Sequence, residues 1–174
     1  MTSSTTALPA RPRRTPRRAA TAAAAALAGL VGSLALAAPA SAVTQASAET
    51  QLRAAGITWT SSGGCTDRTV STCTSFDGLR QTSVDGAITL KRASGCALTI
   101  TGGTETGHAG GTYSHSAGYK LDFSRTSCLT SWVQRTYTYV GQRSDGAALY
   151  RAASGNEYAD EGNHWDVTYY TCGC

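Results

Sequence analysis

The 174-residue chain has no run of ~20 strongly apolar residues, the length a membrane-spanning helix needs. Its longest apolar stretch, from about Ala19 to Ala38, is mostly alanine and argues against a span. The glycine pairs Gly102-Gly103 and Gly110-Gly111 are not followed by a phosphate-loop lysine, which argues against nucleotide binding. No serine sits in a nucleophile-elbow pattern, and no Cys-x-x-Cys suggests a thiolate zinc site. There is no internal repeat, and no linker long enough to divide the chain after its first 42 residues. Positive charge is also scarce where it would matter. Five arginines crowd the first 18 residues, and the part from Val43 on carries ten Lys and Arg against eleven Asp and Glu. That balance excludes a charge-driven nucleic-acid or anionic-membrane partner.

What is present begins with an export signature. Arg11, Arg13, Arg14, Arg17 and Arg18 precede the alanine-rich stretch, and Pro39-Ala40-Ser41-Ala42 closes it with a small-x-small pattern. Residues 1–42 are therefore expected to be a signal peptide, and 43–174 a single secreted, extracellular domain. All six cysteines fall in that domain. An even count in a small exported chain predicts disulfides. Cys65 and Cys73 bracket a short loop and are expected to pair. Cys172 and Cys174 are too close to bridge each other easily, so each is expected to reach elsewhere, with Cys96 and Cys128 as partners.

Hydrophobic patterning predicts a short helix over 45–55 and a second, capped by Ser75, running to about Ala93. Residues 59–74 read as loop. Strands are expected at 97–101, 119–123 and 164–171, a short helix around Leu129, Trp132 and Val133, and a hairpin of 137–142 with 147–151 about Ser144-Asp145-Gly146. Tyr137, Tyr139, Tyr150 and Tyr158 read as strand residues rather than a saccharide groove. Helices first and a mostly antiparallel sheet after them make an α+β domain, with a central sheet packed by helices.

Only three histidines occur: His108, His115 and His164. Each stands in a Gly-rich segment at a strand end and near a carboxylate. Along 119–123, Tyr119, Leu121 and Phe123 share one face and Lys120 and Asp122 the other. His115 lies seven residues before Asp122, and Gly118 lets the chain turn between them. Along the last strand, His164, Asp166, Thr168 and Tyr170 share a face. If these two strands pair, His115, Asp122 and His164 converge. Two imidazoles and one carboxylate leave a fourth tetrahedral position open on zinc, the arrangement of a catalytic site.

The pattern His115-x-x-Gly118-x-x-x-Asp122, followed near the end by Glu161-x-x-His164, resembles the zinc D-Ala-D-Ala carboxypeptidases and dipeptidases, whose fold the hedgehog signalling domain shares. The similarity covers roughly Leu98 to Tyr170. It implies the hedgehog/DD-peptidase fold, zinc held by His115, Asp122 and His164, and Glu161 as general base. Gly107-His108 resembles a loop of the hedgehog domain, and His108 is expected at the substrate. Several positions depart from the family. Tyr113 stands where a serine is usual, and Lys120 where a small residue is; Lys120 either obstructs the site or holds a substrate carboxylate. Gly102-Gly103-Thr104-Glu105 replaces a region that usually carries an arginine, and Asn163 replaces a tryptophan. Asp166 is the rival of Glu161, as base, ligand or a group orienting a ligand.

The resemblance implies a zinc peptidase acting on peptidoglycan stem peptides; with the export signature, a secreted enzyme is expected, as a monomer. The alternatives are a zinc-stabilised binding domain without turnover, and a disulfide-rich structural or inhibitory domain with no metal.

Overall fold

The computed structural model describes residues 1–2 and 41–173. The expected signal peptide lies outside the described residues except at its two ends, and so does Cys174. Where the description resumes, Ala42 bridges Arg80, and Val43 exchanges hydrogen bonds with Leu79 O and Gly78 N.

Helix α1, Gln45–Ala54, starts at Thr44, whose hydroxyl accepts from the Ser47 N–H, and buries Ala48 and Leu52. Helix α2, Gln81–Ser94, buries Val84, Ala87 and Leu90 along one stripe and stops at Gly95 in the left-handed conformation. Ser75 does not cap it; the cap position falls at Arg80, five residues later than expected. The reason is competition for the backbone: the Gly78 and Arg80 N–H groups donate to Val43 and Gly118 carbonyls, which hold 78–80 out of helix. Helix α3, Ser127–Thr136, is capped by Thr126 and buries Leu129 and Val133.

Seven strands form one mixed sheet: β1 (Thr58–Trp59), β2 (Thr99–Gly102), β3 (Lys120–Ser124), β4 (Thr138–Gln142), β5 (Ala148–Arg151), β6 (Glu157–Asp160) and β7 (His164–Thr168). Their order is β1-β2-β3-β7-β6-β5-β4. Only the β1–β2 pair is parallel. The protein is therefore α+β. Strands β1 and β6 were not anticipated: β1 has two residues, and Glu157-Tyr158-Ala159-Asp160 contains no β-branched residue. One sheet face, with Leu121, Phe123, Trp165 and Val167 fully buried, joins the helices' apolar stripes in a single core. The alternation then forces Lys120, Asp122, His164, Asp166 and Thr168 to the opposite face.

Cys65 and Cys73 are bridged as expected. Cys96 and Cys128 pair with each other, joining the end of α2 to the start of α3, instead of reaching the C-terminus. Cys172 is also disulfide-bonded, to neither of them. The bridge joins segments 32 residues apart in sequence, and cysteine spacing alone does not encode that approach. Among the described residues no helix is long and apolar enough to cross a membrane.

Candidate metal centre

Strands β3 and β7 pair antiparallel with Asp122 opposite Asp166 and Ser124 opposite His164. This register sets the site. Both aspartates point away from the core, yet both are buried, 6% exposed each, in the floor of a cleft of about 480 Å³. His108, His115, Lys120, Arg143, Glu161 and His164 line the cleft with them.

Asp122 is the centre. Gly118 adopts φ +77° and its N–H donates to the His115 carbonyl at 2.8 Å, which turns the chain so that His115 Nε2 lies 3.3 Å from Asp122 Oδ1. His164 Nε2 approaches the same oxygen from β7 at 3.6 Å. His108 Nδ1 faces the other oxygen at 3.8 Å. Gly102, opposite Asp122 on β2, makes room: a Cβ there would stand 2.4 Å from Asp122 Oδ2.

Each imidazole is oriented by an acceptor on its outer nitrogen. His115 Nδ1 donates to Gly103 O at 2.7 Å, His164 Nδ1 to Asn163 Oδ1 at 2.7 Å, and His108 Nε2 to Glu105 Oε1 at 3.2 Å. A neutral imidazole that spends its N–H outward turns a lone pair inward. In that form the His115 and His164 lone pairs face Asp122 Oδ1, which is buried and has no hydrogen-bond partner. Acceptors facing acceptors in a buried site call for a cation between them, and outward hydrogen bonds of this kind are how metal-binding histidines are held. The donor atoms of His108, His115 and Asp122 lie within 4.8 Å of one another and form a group able to hold a metal ion. His164 shares Asp122 with that group without belonging to it. The sequence pointed to His115, Asp122 and His164 as ligands; of these, His115 and Asp122 belong to the group, and His108, expected at the substrate, stands beside them.

The carboxylates around this centre differ in their partners. Glu161, in the β6–β7 turn, has Oε2 3.3 Å from His164 Nε2, and its Oε1 pairs with Arg143. Asp166 accepts from Lys120 Nζ at 2.6 Å and Arg143 Nη1 at 2.7 Å. Burial pushes its carboxyl up, but the Lys120 charge and hydrogen bond, with His115 and Arg143, hold it below the ordinary value. Lys120 is thus engaged with Asp166 at the cleft wall rather than aimed at Asp122.

Two site residues escaped sequence reasoning. Arg143, at the β4–β5 turn, clamps Asp145, Glu161 and Asp166. Nothing in the sequence announces contacts that depend on the strand order. Glu105 is buried, 3% exposed, and accepts from the Ser75 and Gly103 N–H groups as well as from His108. Burial raises its pKa, but these hydrogen bonds, that of His108 first, outweigh it and leave the carboxyl below its usual range. In return, donation to Glu105 raises the His108 pKa against the effect of burial, and the Asp122 charge adds to it. The signal for Glu105 was present: Glu105-x-x-His108 has the same spacing as Glu161-x-x-His164.

No family model matches the chain, and comparison with curated proteins and with solved structures gives no match.

Proposed function

We propose that this protein is a secreted zinc peptidase acting on peptidoglycan stem peptides. The observation that carries the reading is the orphaned Asp122 Oδ1 with two inward imidazole nitrogens, of His115 and His164, converging on it. These donors suit zinc, which takes imidazole and carboxylate ligands and keeps a position open at catalytic sites. Disulfides support export to an oxidising compartment. The resemblance of the two motifs to the D-Ala-D-Ala peptidases supplies the fold family and the substrate class.

In this reading His115, Asp122 and His164 hold the ion. Zinc, when bound, polarises a water molecule and the scissile carbonyl. Glu161 stands beside His164, takes a proton from water entering the cleft, and returns it to the departing amine. Asp166 is the weaker base, because two cations occupy it. Lys120 and Arg143 line the cleft wall, where each can exchange an internal carboxylate for the carboxylate of a peptide.

One observation favours the second reading, a zinc-stabilised binding domain without turnover: Glu161 is tied to Arg143, which opposes its acting as a base. The discriminating experiment measures zinc content together with hydrolysis of a pentapeptide ending in D-Ala-D-Ala. One zinc per chain with turnover supports the peptidase; zinc without turnover supports the binding domain. No zinc on either the purified or the zinc-dialysed protein contradicts both.

A further inference from the structure

An imidazole coordinates through a lone pair lying in its ring plane, with zinc about 2.0 Å from the nitrogen. The rings of His108 and His115 are stacked, with centroids 3.8 Å apart and planes only 14° from parallel. Rings so nearly parallel share no plane at bonding distance. An ion in the plane of His115, on its lone pair, therefore lies out of the plane of His108 and off its lone pair. The two histidines that lie close enough to share a metal are therefore turned so that only one can bind it.

What holds His108 in that attitude is a single buried acid. Glu105 Oε1 accepts from His108 Nε2, and Glu105 is itself pinned by the Ser75 N–H at 2.7 Å and the Gly103 N–H at 3.0 and 3.1 Å. Gly103 serves both rings: its N–H fixes Glu105, and its carbonyl orients His115. A Cβ at Gly103 would come within 2.0 Å of Ser75 O, so only glycine fits this crossing.

We infer that Glu105 is a positioning residue that locks His108 against the face of His115 and off the metal, keeping one coordination position open. The inference rests on the zinc reading above. Released from Glu105, His108 can turn its nitrogen, already 3.8 Å from Asp122, toward the ion. It would then be a fourth protein ligand, the closed arrangement of a structural zinc site.

The test uses the full secreted domain loaded with Co²⁺, whose visible spectrum reports the ligand set, with affinity read by competition against a chelator. His108→Ala is expected to bind one Co²⁺ with the wild-type spectrum and less than about a tenfold loss of affinity, the lower limit for removing a group that orients a ligand. In Glu105→Gln one acceptor oxygen becomes a donor; the Ser75 and Gly103 N–H groups claim the oxygen that remains, so the His108 bond is lost. Its Co²⁺ spectrum is expected to shift and its affinity to rise, and adding His108→Ala should restore the wild-type spectrum. Should Glu105→Gln fail to fold, Glu105→Asp, which draws the carboxylate back from His108, takes its place with the same expected shift. A changed spectrum in His108→Ala alone means that His108 is a ligand and overturns the inference. An unshifted spectrum in the Glu105 variant overturns it too. Wild-type protein that binds neither Co²⁺ nor zinc removes the metal reading itself, a result distinct from both.

Discussion

Two Glu-x-x-His segments flank Asp122, and they are built in opposite ways. In Glu105–His108 the acid is buried and fixed by backbone N–H groups, while the histidine stands at the rim. In Glu161–His164 both side chains are partly exposed, and the acid is held by one guanidinium from a hairpin turn. A carboxylate saturated by backbone donors cannot move and is a poor proton acceptor. One held by a side chain on a turn can be released. The same spacing therefore yields a fixture on one side of the cleft and a candidate base on the other. The environment, not the motif, assigns the role.

The largest expected effect bears on what the two segments share. His115→Ala removes a ring that both readings of the ligand set require, and should leave less than about a tenth of the wild-type zinc after dialysis, since three ligands have little redundancy. Full occupancy in that variant would take His115 out of the site.

The next effect separates the segments. Glu161→Gln should lower peptide hydrolysis by ~10²-fold or more with zinc content unchanged, because only proton transfer is lost. Normal hydrolysis by Glu161→Gln, with loss in Asp166→Asn, would exchange the roles of these two acids.

A smaller effect probes the floor between them. Gly102→Ala places a Cβ against the Asp122 carboxylate, and zinc affinity should fall by about tenfold, as when a ligand's support is disturbed. An unchanged affinity, measured by chelator competition, would mean that Asp122 does not need its present position.

The smallest effect concerns the Arg143 clamp that distinguishes the Glu161 side. Hydrogen bonding from Arg143 pulls Asp145 down to about 2. A depressed acid favours the folded state above its ordinary pKa of 3.8, and that contribution disappears as pH falls through about 2. Asp145 is exposed, so the stability change is minor. In Arg143→Ala, carboxyl NMR titration should find Asp145 returned toward its ordinary value; no movement would show that Arg143 does not hold it.

Much of this was legible in the chain. The alternation at Leu121 and Phe123 against Lys120 and Asp122 follows from strand geometry, and so did the facing of Asp122 and His164. The turn at Gly118 that returns His115 was readable from glycine's position. Arg143 was not, because its contacts to Glu161 and Asp166 exist only once β4 to β7 are ordered in the sheet. Nor was the Cys96–Cys128 bridge, which depends on the fold bringing the end of α2 to the start of α3. Glu105 lay between: its spacing to His108 was visible, its burial beneath Ser75 was not. Ser75 misled as a helix cap because the segment Gly78–Arg80 is claimed by Val43 and Gly118 instead.

Both zinc readings turn on whether the buried Asp122 carboxylate and the imidazoles turned toward it hold a metal ion. Elemental analysis of the protein, purified without chelator, decides whether they do. One zinc per chain is expected, lost in His115→Ala. Metal-free protein that takes up no zinc after dialysis against a micromolar excess would contradict it, and would leave Asp122 Oδ1 as a buried acceptor without a partner.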